Sequence, residues 1–158
     1  MKSSTASVRE RSSAKHIAVV LNAVIPDLLL LHRKTKSFRW HMIGPRFLDY
    51  HLLLDEQADH LRAMTDSIAE RIRKVDGATL TSVGRTNRTR RALDNYAEYL
   101  EPLAMLTELR EDNQLLVSRL RDAHDVCDQH RDIATASLIE MWIHEMERRS
   151  WFLFERGH

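Results

Sequence analysis

Along most of the chain, apolar residues recur every three or four positions, the spacing of helices buried on one face. From about Ser13, the series Ile17, Val20/Leu21, Val24, Leu28, Leu31 and Phe38 predicts a first helix. Pro26 falls inside it and should kink or locally open it. Gly44-Pro45 marks the turn that ends it. A second helix is predicted over residues 46–75, with Tyr50, Leu54, Leu61, Met64, Ile68, Ile72 and Val75 as its core face, closed by Asp76-Gly77. Residues 77–90 read as a connection too long for a tight helix hairpin, followed by a short helix around residues 92–100. Pro102 suits the start of a third helix, which buries Leu106, Leu109, Leu116, Leu120, Ala123 and Cys127. Asp132 is placed to cap a fourth, whose inner side includes Ile139, Trp142, Met146 and Leu153. The expected fold is all-α, a four-helix bundle with a long crossover between helices two and three.

Composition narrows this picture. The 158 residues suffice for one domain with a proper core. With 43% apolar residues, four glycines and three prolines, long helices are favoured over strands and turns. Lys+Arg (24) and Asp+Glu (23) nearly balance, so net charge does not announce a nucleic-acid binder. Residues 1–13 are serine-rich and basic without a hydrophobic period, and read as a flexible tail ahead of a bundle domain over 14–158. That tail has no secretory core, and the single Cys127 excludes an intramolecular disulfide and suits a reducing cytosol. The most hydrophobic run, residues 17–31, is interrupted by Asn22, Pro26 and Asp27 and reads as short of a membrane span. A soluble cytoplasmic protein with no membrane partner is expected.

The second helix also carries a polar stripe. His51, Asp55, Asp66 and Glu70 fall within roughly 100° of one another at about 100° per residue. Imidazole and carboxylates are the donor set of iron and zinc sites, yet His51 and Glu70 are separated by about 28 Å of helix. Two copies running antiparallel would close the gap, because the four positions are mirror-related about residues 60 and 61. His51 and Asp55 of one subunit would then face Glu70 and Asp66 of the other, and Asp59 would face Arg62, in the reciprocal manner of a two-fold interface. The plainer reading is a solvated helix face, with pairs such as Arg62 and Asp66 worth a few tenths of a kcal/mol. A metal site inside the bundle is not favoured: Glu-x-x-His occurs only at Glu155–His158, across a glycine at the very end.

The stretch around this stripe resembles the Dps family (DNA-binding proteins from starved cells), twelve-subunit relatives of ferritin. The matching positions are Trp40, Gly44, Phe47, His51, Asp55, Asp66, Ala69, Glu70 and Arg71. The Asp-x-Ala-Thr-Ala from Asp132 and the Trp-Phe-Leu-Phe at residues 151–154 are similar to the family's fourth helix. The resemblance covers residues 14–156. It implies a ferritin-like bundle and a homododecamer built from two-fold dimers. It also implies ferroxidase chemistry in which His51, Asp55, Asp66 and Glu70 bind iron (Fe2+/Fe3+) between subunits. No catalytic group beyond these ligands is implied. Hydrogen peroxide is the family's usual oxidant, and ferric mineral collects inside the hollow shell. Consuming Fe(II) and peroxide together would protect DNA, with the protein associated with the nucleoid where DNA is bound. Trp40 lies beside the site in the family pattern, although a buried tryptophan is equally expected as packing.

One departure matters. The family pattern has a ligand histidine immediately before the tryptophan, where this chain has Arg39. Arginine offers no lone pair and stays cationic. Among Asp55, Asp66 and Glu70 it would repel Fe(II) and take the metal's place as a salt bridge. His41 lies about 200° around the helix from Trp40's predecessor and is no substitute. The alternative function is therefore a nucleoid-associated or structural shell whose ferroxidase is weakened or lost.

Lys2, Arg9, Arg11 and Lys15 are candidate DNA contacts, acting non-specifically and multiplied by avidity. A solubilising tail is the plain alternative. Arg85, Arg88, Arg90 and Arg91 form a second basic cluster, read as a solvated connector. Asp122, Asp125, Asp128 and Asp132 bracket the end of the third helix. Similar proteins line three-fold pores with acidic residues here, which singles out Asp128 and Asp132, against the plain reading of a wet loop. His16, His32, His60, His124, His130 and His144 read as ordinary surface or core histidines, and Cys127 as a buried thiol.

Overall fold

The computed structural model describes residues 2–75 and 100–158, with side chains from Val8 onward. Four helices account for it: α1 (Lys2–His41), α2 (Phe47–Val75), α3 (Pro102–Gln129) and α4 (Ile133–Arg156). The predicted connection at 77–90, its arginines and nearly all of the predicted short helix at 92–100 lie outside the described residues; Leu100 itself is not helical.

α1 is longer than its hydrophobic period. It starts at Lys2, so the segment expected as a flexible tail is helical. No glycine or proline stands in residues 2–13, and Ala, Arg and Glu are good helix formers, so nothing local stops the helix from extending. Nor does Pro26 end α1. A proline removes one backbone hydrogen bond and crowds the preceding turn. Packing on both sides holds this one, since Pro26 is buried between Ile25 and Asp27. The apolar stretch of α1 is also long enough to cross a bilayer, contrary to the shorter run read from the sequence, but half of it is buried inside the bundle. Leu21, Leu28 and Leu31 are fully enclosed there.

Gly44 makes the turn into α2 with φ +107°, a region closed to residues with a Cβ. Every residue predicted for the α2 core face is buried except Val75, which packs partly exposed against the core. The predicted inner residues of α3 and α4 are all buried. Pro102 opens α3. Asp132 caps α4: Oδ1 accepts from Thr135 N at 3.0 Å and Oδ2 from Thr135 Oγ1 at 2.5 Å. Arg131, at φ 56°, turns the chain between the two helices.

Ion pairs fix the register of α1 on α3. Asp27, 1% exposed, pairs with Arg119. Lys34 pairs with Glu108 and, at 2.8 Å, with Asp112. As numbers rise along α1 they fall along α3, so these helices are antiparallel. Gln57 Nε2 donates to the Arg149 carbonyl at 3.2 Å, and Arg71 Nε donates to Thr135 Oγ1 at 3.0 Å, which makes α2 and α4 antiparallel too. Short turns make α1–α2 and α3–α4 antiparallel hairpins. It follows that α2 and α3 run parallel. This is the helix arrangement of a ferritin-like bundle.

Replacing Asp132 with alanine removes the cap and the partner of Arg71 (3.6 Å). The expected loss is about 1–2 kcal/mol, the scale of a good N-cap, read from the urea midpoint at unchanged slope.

Candidate metal centre

α2 positions all four stripe residues, and within one chain they stay in two groups. His51 and Asp55 lie in its first half. The His51 ring is half-buried and tilted against Phe47 with centroids 4.8 Å apart. Asp66 and Glu70 lie in the second half and are exposed, Glu70 being paired with Lys74 at 2.9 Å. Among the described residues no ion pair joins Arg62 to Asp66, so the plain salt-bridged stripe is only partly realised.

Asp55 is the electrostatic centre of the first group. The end of α1 sets two cations over it: Arg39 pairs with Oδ1 through Nε, and Lys36 Nζ lies 3.4 Å from the same oxygen. Burial works to raise the Asp55 carboxyl. The hydrogen bond and charge of Arg39, then those of Lys36, outweigh it and hold the carboxyl below its ordinary value. The sequence pointed to Arg39 here. Lys36 went unnoticed, although it stands one helical turn before Arg39 and shares its face.

The surroundings of this group are apolar and open. Trp40 is 69% exposed rather than packed inside, and Ile43, Leu48 and Leu52 are at least 60% exposed.

A ferritin-like domain model matches residues 19–155. A "DNA protection during starvation protein" of Brevibacillus brevis is 28% identical over 138 residues, 87% of this chain and 91% of that relative. The chain belongs to the Dps family of ferritin-like proteins. An uncharacterized low temperature-induced protein of a Nostoc species is 30% identical over 135 residues, 85% of this chain and 75% of its own length. The solved DpsC structure of Streptomyces coelicolor superimposes with a TM-score of 0.86 at 25% identity, covering 92% of this chain and 85% of the other.

Ferritin-like bundles that hold metal internally use inward carboxylates from all four helices. The middle of this Dps-family bundle carries Gln57, Asn113 and Arg149 instead, each at most 3% exposed. Arg149 Nε donates to Asn113 Oδ1 at 3.5 Å, and burial lowers its pKa to about 10 against the pull of Glu145. A buried cation in that layer repels metal, which leaves the α2 stripe as the candidate centre.

The other predicted site residues are placed as follows. Arg9, Arg11 and Lys15 are exposed along α1, while the Lys2 side chain lies outside the described ones. Asp128 is open to solvent. Asp132 is occupied with capping α4 and facing Arg71, whereas Asp128 is solvent-exposed with His124 Nδ1 3.4 Å from its carboxylate. Cys127 is fully buried, and burial, with the charges of Asp132 and Asp128, pushes its thiol up to about 11. It is an inert core thiol.

Because Asp55 titrates low in the folded chain, its share of stability is fully present above the ordinary carboxylate range near 3.9. That share is lost as pH falls through the depressed folded value. In Arg39→Met the burial contribution has less opposing it, so the Asp55 carboxyl midpoint should move upward. A 13C titration of the Asp55 side-chain carboxyl in the two proteins reads this directly, and equal midpoints would dissociate Arg39 from the shift.

Proposed function

We propose that this protein sequesters iron and shields DNA in the manner of its family, with Fe(II) as substrate at sites completed between two subunits. The observation that carries the reading is the division of His51, Asp55, Asp66 and Glu70 into two half-sets on one helix, one of them bordered by exposed Leu48 and Leu52. An antiparallel second copy would cover those leucines and bring the half-sets together. Carboxylates with an imidazole suit Fe(II) and tolerate the harder Fe(III) product. The balanced reaction takes two Fe(II), one hydrogen peroxide and two protons to two Fe(III) and two waters. Mineral would then grow inside a dodecameric shell in the cytoplasm.

A second reading is favoured by the cations on Asp55: a nucleoid-associated or structural shell with weakened ferroxidase. Fe(II) must displace Arg39 and Lys36 to reach Asp55 Oδ1, and it finds no imidazole at position 39. Anaerobic Fe(II) loading followed by peroxide, with ferric absorbance as the readout, separates the two readings. Arg39→His is expected to raise the oxidation rate by a factor on the order of 10–100, the scale on which metal-site surroundings act. Asp55→Ala should abolish what activity there is. If Asp55→Ala and Glu70→Ala oxidise iron as fast as the parent, the intersubunit site is wrong.

DNA association rests on Arg9, Arg11 and Lys15, with Lys2, now carried on a helix rather than a loose tail. Binding through phosphates is non-specific and salt-dependent. Neutralising Arg9, Arg11 and Lys15 together should remove about three charges from the salt slope per engaged subunit. A gel-shift series across salt concentrations measures it.

A further inference from the structure

Two histidines far apart in sequence meet at one end of the bundle. His16 Nδ1 and His130 Nε2 face each other at 2.8 Å, with ring centroids 5.0 Å apart and planes at 78°. His16 is exposed on α1. His130 ends α3, where its position is fixed by its own N–H to the Val126 carbonyl (3.2 Å) and by the left-handed Arg131 that follows.

We infer that His16 and His130 form a two-imidazole site for a borderline divalent cation of the zinc and copper class, stapling the N-terminal half of α1 to the α3–α4 turn. In the free protein one nitrogen donates a proton to the other, so one lone pair is already aimed along the line between them. Moving the donor ring's proton to its other nitrogen aims both lone pairs into the space between the rings. Zinc–imidazole bonds of about 2.0–2.1 Å in a tetrahedral shell put two ligand nitrogens about 3.3 Å apart. The rings need to part by about half an ångström, a small rotation for two side chains at the surface. An open cleft of about 530 Å³ adjoins His130, giving room for water to complete the shell. Its charged lining, Arg9 and Arg131 against Glu10 and Asp132, is balanced and does not repel a cation. Imidazole ligands select the zinc, copper and nickel group over magnesium.

The site is separate from the α2 stripe and from the exposed group His124, Asp125 and Asp128, which sits on α3 with Glu140 3.1 Å from His124. Chelator-washed protein titrated with Zn(II) in a calorimeter should show a micromolar site, one per subunit, that magnesium does not compete for. His16→Gln and His130→Gln should each weaken it at least tenfold, whereas His124→Gln should keep it. Zn(II) should also slow tryptic cleavage after Arg9, Arg11 and Lys15 in the parent chain and not in His130→Gln. Parent-like zinc binding by His16→Gln and His130→Gln, or no zinc binding by the parent at micromolar concentrations, would overturn the assignment and leave a proton-sharing pair.

Discussion

The register of α1 against its neighbours is the constraint on which the rest of this molecule depends. Leu21, Leu28 and Leu31 are fully buried along it, and each such side chain contributes about 1.5–3 kcal/mol. Apolar burial alone would tolerate a slide of one helical turn. The pairs Asp27–Arg119 and Lys34 with Glu108 and Asp112 do not, because a slide would leave buried charges without partners at a cost of about 3–5 kcal/mol. Both ends of α1 are set by that one register. At its C-terminal end Lys36 and Arg39 come to rest on Asp55, and towards its N-terminal end His16 meets His130.

Magnitudes decide how far Arg39 impairs an iron site. The Arg39–Asp55 pair is partly solvent-exposed, and such pairs are worth about 1 kcal/mol or less. Displacing the guanidinium therefore costs Fe(II) a factor of about five at most, while the second cation on the same oxygen adds to it. Losing a ligand is the larger effect, since arginine cannot replace the lone pair that a histidine supplies. The physical weight falls on a missing bond rather than on repulsion. That favours a site of reduced affinity over one that excludes iron outright.

Most of the helical framework was legible in the sequence because one periodicity governs it. Buried faces such as Leu54–Leu61–Ile68 and Leu109–Leu116–Leu120 repeat at helical spacing, and Gly44, Pro102 and Asp132 punctuate them with backbone chemistry that is local. The helix over residues 2–13 was not legible, because absence of a hydrophobic period shows that a segment lacks a core face, and not that it lacks a helix. Lys36 over Asp55 and His16 against His130 were not legible for a different reason. Each depends on how two helices are set side by side, and residues 19 and 114 positions apart acquire a shared environment only once the α1 register is known.

The same reasoning bears on why the proposed iron site lies on the outside of the bundle. A helix bundle has one dry interior, and the groups that meet there must satisfy one another. Here Gln57, Asn113 and Arg149 meet, with Gln57 donating to the Arg149 carbonyl and the guanidinium reaching Asn113 and the Met64 sulfur at 3.7 Å. A cation held in that layer without a carboxylate partner within salt-bridge distance among the described residues sets a positive potential where internal ferritin-like centres need a negative one. Carboxylates able to meet iron are therefore pushed to a helix face that solvent or a second copy can reach. Once there, a single α2 offers only half a coordination shell at each point along its length. The proposed antiparallel pairing with a second α2 would supply the other half.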